Sequence, residues 1–287
     1  MAVAEPVRGS SPRFRLPMVS LRGAAGIDVV GIVVLVVISF IALAAPWIAP
    51  HGGSESLSLG SFHAPTWTAP MGTDDLGRDV FSRVLLGIRA SWLSAIVVIA
   101  SGVLIGGIIG LAAGASGGII DAVLMRITDL FLALPGPLLA LAVVAIIGPS
   151  LRNTLVAVAI VWWPWYARIV RAEVHALAVR PHVDAAKLSG ARAIRLALRH
   201  LLPGAFAPLL VTASLDVGNL VLTLAGLSFL GLGAPPPAPE LGSMTARALP
   251  YLLGHWWIPV FPAVGVFVLA FAANLAGDAL QDIFDVS

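Results

Sequence analysis

Cysteine is absent from this sequence. Disulfides, thiolate nucleophiles and cysteine-ligated metals are excluded with it. Lysine is nearly absent: Lys187 stands against sixteen arginines, an imbalance that reads as base composition and not as mechanism. Charge of both signs is scarce, at 11% of residues against about 25% in soluble domains. The net charge is only +2, so a nucleic-acid partner has little support. The motifs of nucleotide and hydrolytic chemistry are missing too. No G-x-x-x-x-G-K-S/T phosphate loop occurs, no H-E-x-x-H and no G-x-S-x-G. Gly226-Leu227-Ser228-Phe229-Leu230-Gly231 is one residue too long for the last of these. The six histidines include no pair four residues apart, and no acid cluster joins His175 and His182, so no metal site is expected.

What is present is apolar length. Hydrophobic residues make up 59% of the chain and mean hydropathy is +0.97. A helix rising 1.5 Å per residue needs about 20 apolar residues to cross a hydrocarbon core of about 30 Å. Six stretches reach that length: 28–48, 92–114, 123–147, 154–174, 205–230 and 256–280. They predict an all-α membrane protein of six transmembrane helices, with residues 28–287 as the membrane domain and 1–27 as a tail. No stretch is left over for a soluble nucleotide-hydrolysing module. Ala42-Leu43-Ala44 has the look of a signal-peptidase site, but the apolar run continues through Pro46-Trp47-Ile48, so an uncleaved span is expected.

Charge sets the expected orientation. Twelve of the seventeen Lys and Arg fall on one side, including Arg8, Arg13, Arg15, Arg22, Arg180, Lys187, Arg192, Arg195 and Arg199. Arg78, Arg83, Arg89, Arg152 and Arg247 fall on the other. The positive-inside rule places both termini and a loop at 175–204 in the cytoplasm, with loops 50–91 and 231–255 outside. Trp47, Trp92, Trp256 and Trp257 are expected at the outer ends of their spans, where indole suits the interface.

Within the basic loop, Asp184-Ala185-Ala186-Lys187-Leu188-Ser189-Gly190 reads as a short capped helix. Pro181 suits its first turn, Asp184 the positive end of its dipole, and Gly190 a left-handed stop. Ala185 and Ala186 leave a flat face that another protein can approach. Leu202-Pro203 follows twelve residues after Gly190. That order resembles the EAA loop of ATP-binding-cassette importer permeases, with Asp184 where the family usually carries Glu. The resemblance implies that Asp184, Ala185, Ala186, Gly190, Leu202 and Pro203 form the contact with a separate ATPase. Arg192, Arg195 and Arg199, with Ile194, Leu198 and Leu201 on a neighbouring face, read as a basic amphipathic turn on the inner leaflet.

Outside, the segment from Met71 to Arg83 carries Gly72-Thr73-Asp74, Gly77-Arg78-Asp79 and Ser82-Arg83. By itself this density of Asp and Gly suggests tight turns and Asp–Arg pairs. As a string it resembles the GTDxxGRDxxSR block of the C-type subunit in the dipeptide/oligopeptide/nickel permease family. Two further blocks agree: Leu227-Ser228-Phe229-Leu230-Gly231-Leu232-Gly233 before Pro235-Pro236-Pro237, and Asn274-Leu275-Ala276-Gly277-Asp278-Ala279-Leu280-Gln281-Asp282. The resemblance implies a type I importer. A second permease would complete the pore, two ATPases would bind ATP and magnesium below it, and an extracytoplasmic binding protein would deliver the substrate. That substrate would be a di- or oligopeptide, or nickel or another small solute. No cofactor is expected in this chain, and the location implied is a bacterial cytoplasmic membrane.

Several residues inside the spans are informative by type and spacing. Gly102, Gly106, Gly110, Gly114 and Gly118 recur every four residues and suit close helix packing. Asp129, three residues after Arg126, suggests an interfacial ion pair with it. Asp216 lies mid-span, and with Asn219 it is a candidate for the substrate path. A structural role is the alternative, with Thr212, Asn219 or a neighbouring helix satisfying the carboxylate. Trp162, Trp163, Trp165 and Tyr166 around Pro164 suggest an inner aromatic belt, or else a cavity wall. A secondary carrier or channel is the rival of another class, but it would be expected to carry more paired intramembrane charge or an internal repeat.

Overall fold

The structure, a computed structural model, describes residues 26–285. Residues 1–25, nearly all of the expected cytoplasmic tail with its four arginines, lie outside the described residues. Among the described residues the regular structure is helical, apart from two isolated β-bridges, Ser56 with Arg78 and Thr73 with Asp79. Five helices are long and apolar enough to cross a membrane, and six spans result if a bent pair counts as one.

Helix α1 (Gly26–Ile48) is apolar after Asp28 except for Ser39, and small residues such as Ala42 and Ala45 turn inward. Ala42 and Ala45 are fully buried while Val36 and Phe40 stay on the surface. In a membrane the surface is no liability for Val or Phe, so burial follows size and packing more than hydropathy. Helix α2 (Val80–Ser116) begins twelve residues before the expected span. Asp79 caps it, accepting from the N–H groups of Phe81 and Ser82. At 1.5 Å per residue it is about 55 Å long, so one end projects beyond the hydrocarbon core. Residues 80–91 are therefore helix and not loop. Their polar members Ser82, Arg83 and Ser91 are buried, with Ser82 accepting from the His51 N–H and Arg83 donating to carbonyls of the flanking loops, and do not mark a coil.

The third span, drawn as continuous over 123–147, is broken. Helices α3 (Gly118–Leu132) and α4 (Gly136–Ile147) meet at 86°. Pro135 has no N–H to continue the ladder and disfavours helical geometry at Leu134. Helix α5 (Leu151–Ala178) lies against both and against α2, its most extensive partner. Asp129 on α3 pairs with Arg168 of α5 at 2.6 Å. The expected partner Arg126, three residues before it, stays exposed and makes no ion pair with it among the described residues. Asp121 makes a second link, accepting from Arg171 at 2.5 Å.

The glycine ladder faces α5. A methyl group at Gly102 would come within 2.9 Å of the Tyr166 ring, and one at Gly114 within 2.7 Å of Val174. At Gly106 and Gly110 it would collide with the carbonyl oxygens of Trp163 and Ala167. Gly118 is not on this face: it sits at φ 56° in the turn that opens α3.

After α5 come α6 (Pro181–Leu188), the single turn α7 (Ala193–Leu196), a π-helical turn at Ala197–Leu201, and α8 (Leu202–Leu227). The Pro-rich loop expected at 231–255 contains a helix of its own, α9 (Leu241–Ala248). Glu240 caps it, accepting from the N–H groups of Gly242 and Ser243. Leu241, fully buried, packs with Val80 and Val84 of α2. Helix α10 (Trp257–Asp285) returns along α8 and α1. Gly277 meets the backbone of Leu215 there, and Gly218 meets Asn274.

The two segments expected outside are knotted by buried charge. Asp74 accepts from Arg78 Nε at 2.7 Å and from the Arg78 and Leu76 N–H groups, with Arg83 Nε 3.6 Å away. Arg83 donates to the carbonyls of Gly53 and Pro237, joining the first outer loop to the Pro-rich one. Trp257 donates its indole N–H to Thr73 O at 3.2 Å. Two tryptophans expected at an outer interface thus turn inward: Trp257 and Trp92 are only 7% and 4% exposed. Trp47 and Trp256 remain on the surface.

Candidate functional site

Two groups of residues combine exposure with defined chemistry. The first is the loop between α5 and α8. Pro181 occupies the first turn of α6, where its missing N–H is not needed. Val183 is fully buried and anchors the helix, while Asp184, Ala185 and Leu188 are exposed and Ala186 is half-buried. Asp184 pairs with Lys187 at 3.0 Å, and Lys187 also reaches Ala178 O at the end of α5. Gly190 adopts φ 78°, and the Ala191 N–H bonds Ala186 O while the Gly190 N–H bonds Lys187 O. These two bonds form a Schellman motif, which satisfies the last carbonyls of the helix and requires the left-handed residue.

The chain then returns to the membrane. Leu201 is buried, Leu202 and Pro203 open α8, and Gly204 packs on Leu177 at the end of α5. A cleft of about 1060 Å³ results, lined by both Ala185 and Pro203. Arg180, Arg195, Arg199, His182 and His200 also line it. The structure thus brings Ala185 and Pro203 together, while Asp184 is turned to Lys187 and Gly190 shapes the helix end from outside the cleft. The amphipathic turn differs in one respect. Ile194 and Leu198 are exposed as expected, but the wider π turn rotates Leu201 into the core.

The second group surrounds Asp216. Its Oδ2 accepts from Trp162 Nε1 at 2.5 Å and from the Tyr166 hydroxyl at 3.0 Å. Thr212 does not bond it: its hydroxyl donates to Pro208 O. Asn219 is exposed on the same face of α8. Of the partners considered from sequence, the neighbouring helix supplies the contact. Trp162 and Tyr166 lie four residues apart, hence one above the other on α5. They are not an inner belt. Tyr166 is fully buried, Trp163 packs edge-on to Phe131 at 5.4 Å, and Trp165 alone of the four is well exposed. The signal for the Asp216 contact was readable: two side chains with apolar bodies and polar tips, at helical spacing, at the middle of a span. So was a stripe the sequence reading took only in part, Thr212, Asp216, Asn219 and Thr223, spaced four, three and four.

Several known proteins are similar to this chain. A Pseudomonas aeruginosa protein described as the di/tripeptide transport system permease DppC is 40% identical over 92% of this chain and 88% of its own. The Escherichia coli K12 dipeptide transport system permease DppC is 41% identical over 90% and 88%. In structure, a chain of the MetNI methionine ABC transporter, in an inward-facing conformation, aligns with a TM-score of 0.56 at 22% identity. It covers 72% of this chain and 97% of its own length, which shows a shared fold. The profile of the binding-protein-dependent transport system inner membrane component family matches residues 102–286. With the chain matched from within α2 to α10 and relatives matching about nine-tenths of its length, this chain belongs to that family of inner membrane transport components.

Proposed function

We propose that the chain is one of two permease subunits of an ATP-driven importer for di- and oligopeptides in a bacterial cytoplasmic membrane. The observation that carries this reading is the full-length similarity to relatives named as dipeptide permeases. The second permease completes the translocation path, two ATPase subunits bind ATP and magnesium, and an extracytoplasmic binding protein delivers the peptide. Both termini and α6 face the cytoplasm, and the Asp74–Arg83 knot and α9 face outward.

Helix α6 is the coupling element. Asp184, Ala185, Ala186 and Gly190 shape its exposed surface and end, and Leu202 and Pro203 fix where α8 leaves the loop. Val183 and the Lys187 bond to Ala178 O tie α6 to α5, so displacement of α6 by a moving ATPase is passed to a helix that spans the membrane. Exposed Ala185 keeps the contact close and Leu188, 90% exposed, gives it apolar area. Asp216 and Asn219 face the path. Chemistry on ATP belongs to the partner subunits in this reading. The test is reconstitution of this chain with its partners in proteoliposomes. Import of labelled dialanine that requires ATP, the binding protein and this chain supports the reading, and its absence in a complete, assembled complex refutes it.

A further inference from the structure

Asp216 is held in a way that packing alone does not require. It lies about 20 Å along α8 from the helix start, and its two donors are at the middle of α5. Both helices therefore put the carboxylate near the bilayer midplane, where an ionised side chain is costly. Both donors are neutral. The indole N–H can only donate, which fixes Oδ2 as an acceptor. No cation pairs with Asp216 among the described residues, and Oδ1 is left without a partner.

The surroundings repeat the pattern. Asp216 is half-buried, and Asn219, one turn further on, is exposed with its side-chain amide unbonded among the described residues. The flanking hydroxyls do not compete for either group. Thr212 donates to Pro208 O and Thr223 to Asn219 O, both at 2.9 Å. One face of a spanning helix thus offers a carboxylate oxygen and an amide, with nothing among the described residues bonded to either. Lipid tails cannot satisfy these groups.

The geometry points to Asp216 as a cation-binding position, whose Oδ1, with the Asn219 amide oxygen, receives the protonated α-amino group of a passing peptide. This assignment rests on the peptide-importer reading. Trp162 and Tyr166 act as positioning residues, holding Oδ2 so that Oδ1 faces away from the bundle. A neutral or anionic solute gains nothing from such a site, whereas a primary ammonium supplies both the charge and the donors.

The test uses the assembled importer in proteoliposomes, with dialanine as the probe. A water-soluble carbodiimide with glycine ethyl ester modifies Asp216, read as a mass shift on the fragment that carries it, and dialanine slows that modification. Asp216→Asn lowers the maximal rate of dialanine import about tenfold, the loss of one charge-assisted contact. Assembly and binding-protein-stimulated ATP hydrolysis persist, and Asp216→Glu restores import. An unmodified Asp216, modification that dialanine does not slow, or undiminished import by Asp216→Asn overturns the assignment. If Asp216→Asn fails to assemble, labelling of the wild-type complex decides alone. A wild-type complex that neither binds nor imports dialanine refutes the peptide reading instead. Methylammonium then serves as the shielding probe, and its failure to protect Asp216 overturns the cation site.

Discussion

At Gly190 the backbone is left-handed and the space around it is open: a methyl group there meets nothing within 4 Å. Substitution therefore acts through backbone strain, about 1–2 kcal/mol for a residue with a Cβ, and not through packing. Gly190→Trp should insert at wild-type levels, loosen the end of α6 and reduce dialanine uptake to background. Normal uptake by a well-expressed variant would remove α6 from the coupling role. Asp74 is the opposite case, because its surroundings are closed. It sits 5% exposed between Arg78 and Arg83, so Asp74→Asn leaves two buried guanidinium groups with only the half-exposed Asp75, 3.7 Å from Arg78, to balance them. Breaking a buried pair in this way costs about 3–5 kcal/mol. The outer knot should open locally, and trypsin added from outside should cut after Arg78 and Arg83 faster than in the wild type. Unchanged cleavage would show that the knot is held by its backbone bonds alone.

Between elements, the contact of α2 with α5 depends on which glycine faces the partner. Gly106 and Gly107 are adjacent in sequence and differ by one helical step in direction. A methyl at Gly106 strikes the Trp163 carbonyl, whereas one at Gly107 sits 3.7 Å from Leu209, an ordinary contact. Gly106→Ala should destabilise the chain by about 1–3 kcal/mol through overpacking. Gly107→Ala should be neutral or slightly stabilising, since Ala favours helix over Gly by about 0.5–1 kcal/mol. Thermal unfolding of the two variants in detergent separates them, and equal midpoints would mean that α2 and α5 do not rely on this approach. The alternation of small residues made the ladder visible in the sequence. Its partner was not visible, because the facing residues Trp163, Tyr166 and Ala167 share no feature that singles out a glycine-matched groove.

For the whole molecule, the prediction is topological. Arg83 touches both Gly53 and Pro237, so the two outer loops lie at one end, and α6 follows a complete span from that end. The natural absence of cysteine makes single-cysteine labelling clean. Cysteines at Ser54 and Ala238, both exposed, should react with a membrane-impermeant maleimide from outside only, and one at Leu188 from inside only. Any reversal overturns the orientation on which the coupling and docking assignments depend.

The helical membrane class, the six apolar stretches and the capped helix at Asp184–Gly190 followed from the sequence alone, because each rests on a local rule. A hydrocarbon core demands length and hydropathy, and a helix stop demands a residue tolerant of left-handed geometry. The three-dimensional arrangement decided what depends on neighbours far along the chain. The 12-residue extension of α2 into the outer loop is decided by Arg83 and Ser82 finding buried partners there, which no local polarity count can foresee. Asp129 pairs with Arg168 on α5, 39 residues along the chain, and not with the nearby Arg126, because α3 packs against that helix. The role of Asp216 was open for the same reason. Its cost in the bilayer follows from charge, but what holds it, and which oxygen stays free, depends on how α5 and α8 meet.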